Sequence, residues 1–375
     1  MSGMFDERRG RAGLLGCACN IDPPDDAMPG GHAPALALIA AGFSLSIVAQ
    51  VLAFTILPLA GEILAPSPAA STAPFVLMLA GAALATFPAS ILPGRFGRRS
   101  AFALGASLGV AGAAMGAWGI VAGQFAGLCL GAFWLGTAQG FGLFYRHAAA
   151  SNTPSSGRAI AIVLGGASLA AVAAPAIMRV AQDIAGPLAP AAALIGAGMA
   201  QLCVLGIAVM LPPEIEVSDQ ERSWVADTRG FVVISGAAAL AWLGMTFLMV
   251  SAPLLMAGCG FGLGAAAGAI SWHVLAMYAP AAAIGAAGWR SPEAPTVFAG
   301  LALLTLGCVA AHFQTTAAGF DLALIIGGCG WSLATLGATL WIHARGLPPR
   351  SLLALHDFGL FTGAICGALL AGVLV

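Results

Sequence analysis

The chain has 375 residues, 60% of them hydrophobic and only 8% charged, with a formal net charge of −1. A soluble domain cannot hide that much apolar surface, so the composition demands an integral membrane protein whose outer face is solvated by lipid. All fourteen basic residues are Arg and none is Lys, and the near-zero net charge gives no basic surface for nucleic acid.

The first 33 residues carry Asp6, Glu7, Arg8, Arg9, Arg11, Asp22, Asp25 and Asp26. They are too polar for the core of a signal peptide and read as a cytoplasmic tail, residues 1–33. Cys17-Ala18-Cys19 in this tail is a pair of soft ligands on a flexible segment. Two ligands alone rarely make a metal site, so the expectation is two incidental thiols. The other cysteines are scattered through apolar runs, without CxxC or His/Cys zinc spacing, and read as small hydrophobes.

From residue 34 onward the chain is a series of apolar runs. A spanning helix needs about 20 mostly apolar residues, and eleven runs meet that length: 34–57, 74–93, 100–120, 123–145, 159–181, 188–211, 230–256, 262–287, 294–313, 319–343 and 351–375. Short loops join them except at 212–229, where Glu214, Glu216, Asp219, Glu221, Arg222, Asp227 and Arg229 form a polar linker. The expected organisation is therefore an N-terminal six-helix bundle at 34–211, a cytoplasmic linker at 212–229 and a five-helix bundle at 230–375. With the N-terminus in the cytoplasm, Arg8, Arg9, Arg11, Arg95, Arg98, Arg99, Arg146, Arg158, Arg222, Arg229, Arg290, Arg345 and Arg350 all lie inside and only Arg179 lies outside. That asymmetry obeys the positive-inside rule and places the C-terminus outside after eleven spans.

The loop after the second run reads Pro93-Gly94-Arg95-Phe96-Gly97-Arg98-Arg99. It resembles the end of the signature loop of the major facilitator superfamily. Gly94 stands where that pattern has Asp, and Ser90 where it has its leading Gly, which puts the loop's usual ion pairing in doubt. The resemblance implies an all-α fold of two helical bundles, with Arg95, Gly97, Arg98 and Arg99 in a cytoplasmic gating loop. The family normally has twelve helices; the twelfth is missing from the eleven read here.

The first half offers few polar groups at membrane depth: Gln50 in the first run, Gln139 and Tyr145 in the fourth, with Met78 and Met115 nearby. Gln50 and Gln139 can line a cavity, but hydrogen bonding between helices is the favoured reading. Pro58 and Pro175 sit near helix ends and are expected to kink them.

The second half holds the soft ligands. Met245 and Met249 are spaced i, i+4 in the seventh run, and His273 and Met277 share that spacing in the eighth. On a helix each pair falls on one face. The two runs adjoin in the chain, so they are expected to pack as antiparallel neighbours, with Met245 and His273 at matching depth and Trp242 and Trp272 flanking them. Met alone is ordinary packing material, but His273 is an ionisable group near the bilayer centre, where such residues are functional by default. Thioether and imidazole together suit copper.

These two motifs, with the context Trp272-His273-Val274-Leu275-Ala276-Met277-Tyr278-Ala279-Pro280, resemble the CcoA-like copper transporters, the CalT subfamily of the major facilitator superfamily. That resemblance implies copper import across the bacterial inner membrane in support of cbb3-type cytochrome c oxidase assembly. Met245, Met249, His273 and Met277 are then the metal ligands. Copper ion is the transported substrate and there is no prosthetic group. The partners are the lipid bilayer and a cytoplasmic copper chaperone, and the protein is a monomer. Relatives that carry riboflavin keep a similar frame, so a small organic cargo is the rival reading. A non-transporting copper sensor using the CxC tail is a third. His356-Asp357 lies a short way into the last run and invites a proton or gating role, although pairing with Arg345 or Arg350 at the cytoplasmic surface is the favoured expectation. No nucleophile–base set points to an enzyme.

Overall fold

The computed structural model describes residues 32–151, 156–212, 228–344, 346 and 348–374. The N-terminal tail with Cys17 and Cys19, most of the linker and Arg345 lie outside the described residues. The described chain is helical throughout. The helices are α1 (His32–Leu64), α2 (Ala73–Val121), α3 (Phe125–Leu143), α4 (Tyr145–Ser151), α5 (Ser156–Gly166), α6 (Ala170–Ala185), α7 (Ala189–Met210), α8 (Thr228–Gly258), α9 (Leu263–Ala287), α10 (Glu293–His312), α11 (Ala317–His343) and α12 (Arg350–Leu374). Helix is the only open-ended way for these apolar runs to satisfy their backbone groups in lipid.

Among the described residues, nine helical segments are long and apolar enough to cross a membrane. Two of them are too long for a single crossing. α2 has 49 residues, about 74 Å of helix at 1.5 Å per residue, against a hydrocarbon core of about 30 Å. It turns at Gly97, whose φ of 77° and ψ of 156° are not helical. A side chain would be strained at that positive φ, which is why a glycine sits at the reversal. The segment 157–210 is likewise 54 residues long and turns at Gly186, where φ is 52°. The eleven expected runs therefore appear as nine continuous segments: α2 runs on through its turn at Gly97, and short 3-10 turns join α5, α6 and α7, one of them at Gly186.

The helices sort into two groups. In the first half α2 packs on α3 and α7, and α1 on α7; in the second half α11 packs on α10 and α9, and α8 on α12. The groups meet where α2 touches α12 and where α5 touches α9. Small residues allow these approaches. A Cβ on Gly165 of α5 would come within 2.6 Å of the Ala282 nitrogen on α9, and one on Gly285 of α9 within 3.0 Å of the Ile162 nitrogen on α5. The expected pairing of α8 with α9 is corrected here. α9 leans on α11 and crosses to α5, and it touches α8 only sparsely. Adjacency in sequence does not make these two helices neighbours, because α9 spends its small-residue face on the other group.

Candidate functional site

A cavity lies between the two groups at mid-chain depth. Its first-half wall includes Phe43, Ser46, Gln50, Phe54 and Gln139; its second-half wall includes Trp242, Met245, Met249, Met277, Tyr278, Trp331 and Thr335. The aromatic side is an edge-to-face cluster. Trp242 meets Trp331 at 5.6 Å between ring centroids, Tyr278 meets Trp331 at 5.6 Å, and Phe361 backs Trp242 at 5.2 Å. Such packing fixes the rings and presents flat apolar faces with polar tips.

Several polar atoms around the cavity have no partner among the described residues. Both amide atoms of Gln139, Nε1 of Trp242, Nε1 of Trp331 and Oγ1 of Thr335 are buried without a hydrogen-bond partner among the described residues. Five unsatisfied polar atoms around one cavity are costly in a folded chain, each about 1–3 kcal/mol, and are retained where a ligand completes them. The expectation that Gln139 serves helix-to-helix hydrogen bonding is thereby corrected: it lines the cavity, and neither amide atom has a partner among the described residues. Gln50 lines the same cavity. Tyr145 instead stacks on Phe102, with ring centroids 3.9 Å apart. Met78 is buried in the first-half core; Met115 is half-buried.

Three of the four soft ligands come together. Met245, Met249 and Met277 line the cavity, and His273 does not. His273 is fully buried, and its Nδ1 donates to the Leu324 carbonyl of α11 at 2.7 Å. Its Nε2 is buried without a partner among the described residues. Helix geometry explains the divergence. The α9 residues on the cavity are Val274, Met277 and Tyr278, whose mean direction lies about 90° around the helix from His273 at 100° per residue. Gly328 of α11 makes room for the histidine: a Cβ there would meet the His273 carbonyl oxygen at 2.7 Å. Of the two flanking tryptophans, Trp242 is on the cavity, while Trp272 is 54% exposed on the outer face.

A second polar constellation closes the end of the molecule that carries Arg95, Arg98 and Arg99. The Arg146 guanidinium of α4 pairs with the Asp357 carboxylate of α12. His147 Nε2 stands 3.2 Å from Asp357 Oδ2, and His147 Nδ1 lies 3.0 Å from Nε2 of His343 on α11. His356 Nδ1 meets the Ser235 hydroxyl of α8 at 3.0 Å. Asp357 is fully buried and Arg146 is 1% exposed. The expected surface pairing of Asp357 with Arg345 or Arg350 is thus corrected: its partner comes from the other helix group. Arg350 instead lies against Gly94. The glycine that replaces the signature loop's Asp makes the space that this guanidinium occupies. Arg98 and Arg99 donate to the carbonyls of Pro212 and Leu211.

Sequence reading missed Trp331, Thr335 and Tyr278 as cavity walls. The signal was there, since Trp and Tyr deep in an apolar run must place a polar tip somewhere. It missed Arg146 for a different reason: an arginine at a helix end reads as a topology marker.

The fold and the central cavity between two helix groups define a membrane transporter. Solved structures agree on the fold. The proton:xylose symporter XylE bound to 6-bromo-6-deoxy-D-glucose is 11% identical, with a TM-score of 0.72 over 91% of this chain and 88% of that one. The human organic anion transporter MFSD10 (TETRAN) is 14% identical, with a TM-score of 0.68 over 92% of this chain and 94% of that one. By sequence, the riboflavin transporter RfnT of Brucella anthropi is 31% identical over 329 residues, covering 84% of this chain and 83% of that protein. No protein-family model matches the chain. The chain belongs to the major facilitator superfamily, and it is a transporter rather than an enzyme.

Proposed function

We propose that this chain carries a planar, polar heterocycle of the riboflavin class by alternating access. The observation that carries the reading is Gln139, whose amide offers a donor and an acceptor, both buried and unpaired, opposite an aromatic wall. An isoalloxazine ring has flat faces for Trp242, Tyr278 and Trp331, and an imide edge with one N–H between two carbonyls. A carboxamide is complementary to that edge. Ser46, Gln50 and Thr335 suit the hydroxyls of a ribityl chain. The 31% identity to a protein named as a riboflavin transporter supports the same cargo. In this conformation the free space is about 30 Å³, roughly one water, whereas sites for molecules of this size have roughly 300–1,000 Å³. Loading therefore requires the two helix groups to part, as rocking about a midplane site does.

One observation favours a second cargo. The thioethers of Met245, Met249 and Met277 line the same cavity, and a sulfur set of that kind suits Cu(I). Under that reading the chain imports copper for cbb3-type oxidase assembly, with His273 turning toward the cavity to join the sulfurs. Uptake separates the two. Cells of a bacterial riboflavin auxotroph expressing the chain are expected to accumulate labelled riboflavin and to grow on limiting riboflavin. Their accumulation of radioactive copper is expected to match that of cells without it. Copper accumulation with no gain in riboflavin uptake overturns the flavin reading.

A further inference from the structure

The unpaired polar atoms of the cavity's residues are unequally divided between donors and acceptors. Trp242 and Trp331 each carry an indole N–H, which donates only, and the Gln139 amide nitrogen carries two N–H bonds more. Against these stands one atom that only accepts, Gln139 Oε1, while the Thr335 hydroxyl does either. Gln139, Trp242 and Trp331 are all more than nine-tenths buried. Among the described residues, no Asp, Glu, Lys, Arg or His lines the cavity. A cargo that completes such a wall is uncharged and offers more acceptors than donors.

The oxidised isoalloxazine ring has that character: N1, N5 and both carbonyl oxygens accept, and only N3–H donates. Reduction adds two electrons and two protons, and the protons go to N1 and N5. The reduced ring then presents three N–H groups and two carbonyl oxygens to a wall that is itself rich in N–H, and donors are left unmet. A buried donor without an acceptor loses its bond to water and gains nothing in return. Where the N1 proton is lost, the reduced ring is an anion, and its charge enters a cavity with no cation among its described walls. We propose, resting on the flavin reading above, that the cavity binds the oxidised ring and discriminates against both reduced forms, with Trp242 and Trp331 as the residues that read the oxidation state.

The two indoles are assigned this role because they cannot adapt. Trp242 of α8 and Trp331 of α11 pack edge to face at 5.6 Å, with Phe361 at 5.2 Å from Trp242 and Tyr278 at 5.6 Å from Trp331. Rings held on these sides keep their N–H directions, and an indole has no acceptor to offer instead. The Gln139 carboxamide presents its oxygen or its nitrogen after half a turn, and the Thr335 hydroxyl rotates freely, so both suit either oxidation state. Flavin that is reduced after release is rebound less well by the same factor. Reduction in the receiving compartment therefore opposes backflow.

The test is an anaerobic potentiometric titration of riboflavin bound to the full-length protein in nanodiscs, beside free riboflavin at the same pH. The oxidised form is expected to bind at least about tenfold more tightly, which lowers the midpoint of the bound flavin by about 30 mV or more for a two-electron couple. Trp242→Phe and Trp331→Phe keep an aromatic face and remove the N–H. The doubly substituted protein is expected to lose most of the shift. Gln139→Leu is expected to weaken both oxidation states alike and to keep it. If the double variant is not monodisperse, 5-deazariboflavin, with C–H in place of N5, takes its place: the parent is expected to bind it at least about fivefold more weakly than riboflavin. A bound midpoint equal to or above the free one, an undiminished shift in the double variant, or equal affinity for the deaza analogue overturns the inference and leaves the flavin reading standing. A parent that binds riboflavin in neither oxidation state overturns both.

Discussion

A carboxamide buried without partners costs free energy in the empty protein and recovers it only when something binds. Gln139 is 6% exposed with both amide atoms unpaired. Gln139→Leu keeps the approximate volume and removes the unsatisfied atoms, so stability is expected to rise by about 1–3 kcal/mol. Flavin affinity is expected to fall at least tenfold by fluorescence-quenching titration, while the thermal midpoint rises by a few degrees. An affinity unchanged by this substitution shows that the amide does not read the cargo. His273 poses the opposite case. Its Nδ1 donates to the Leu324 carbonyl, so His273→Ala is expected to cost about 1–3 kcal/mol of stability. His273→Asn, with an amide nitrogen near the Nδ1 position, is expected to recover most of that. A copper ligand behaves differently: both substitutions abolish copper accumulation and leave the thermal midpoint in place. The spacing of His273 and Met277 was legible in the sequence. Their divergence was not, because i, i+4 positions differ by about 40° around a helix and the cavity edge falls between them.

At the scale of helices, apolar run length was enough to read most elements. α8, α9, α10, α11 and α12 each match one expected run, since lipid leaves helix as the form for such segments. Run length does not reveal which helix packs on which. The partner of α9 is decided by where its small residues lie, and Gly285 faces α5. Glycine contacts also yield a test of packing. A Cβ on Gly307 of α10 would lie 2.6 Å from the Gly327 nitrogen of α11, closer than real Cβ atoms come, whereas one on Gly236 of α8 meets nothing within 4 Å. Gly307→Val is therefore expected to spread α10 from α11 and lower the monodisperse yield several-fold in size-exclusion chromatography. Gly236→Ala is expected to match the parent or exceed it slightly, by helix propensity. Equal yields for both variants contradict the packing of α10 on α11 described here.

At the scale of the whole molecule, two bundles were legible from hydropathy; most of the polar stretch expected to divide them lies outside the described residues. The tie between the bundles was not legible. Arg146 and Asp357 are 211 residues apart in sequence, and each alone reads as an ordinary helix-end charge. Their pairing gathers Arg146 at the end where Arg98 and Arg99 hold Leu211 and Pro212 and Arg350 lies against Gly94. Arginine near helix ends resists translocation, so this end is expected to face the cytoplasm. The turn after α10 then faces outward, since α10 runs away from the arginine-rich end. Phe313, at that turn, is 75% exposed, and Phe96, in the arginine-bearing turn of α2, is 66% exposed. In a cysteine-free background, Phe313→Cys is expected to react with a membrane-impermeant maleimide in intact spheroplasts. Phe96→Cys is expected to react only after the membrane is permeabilised. The opposite labelling pattern inverts the molecule in the membrane, and the Arg146–Asp357 ion pair between α4 and α12 then lies at the outer end.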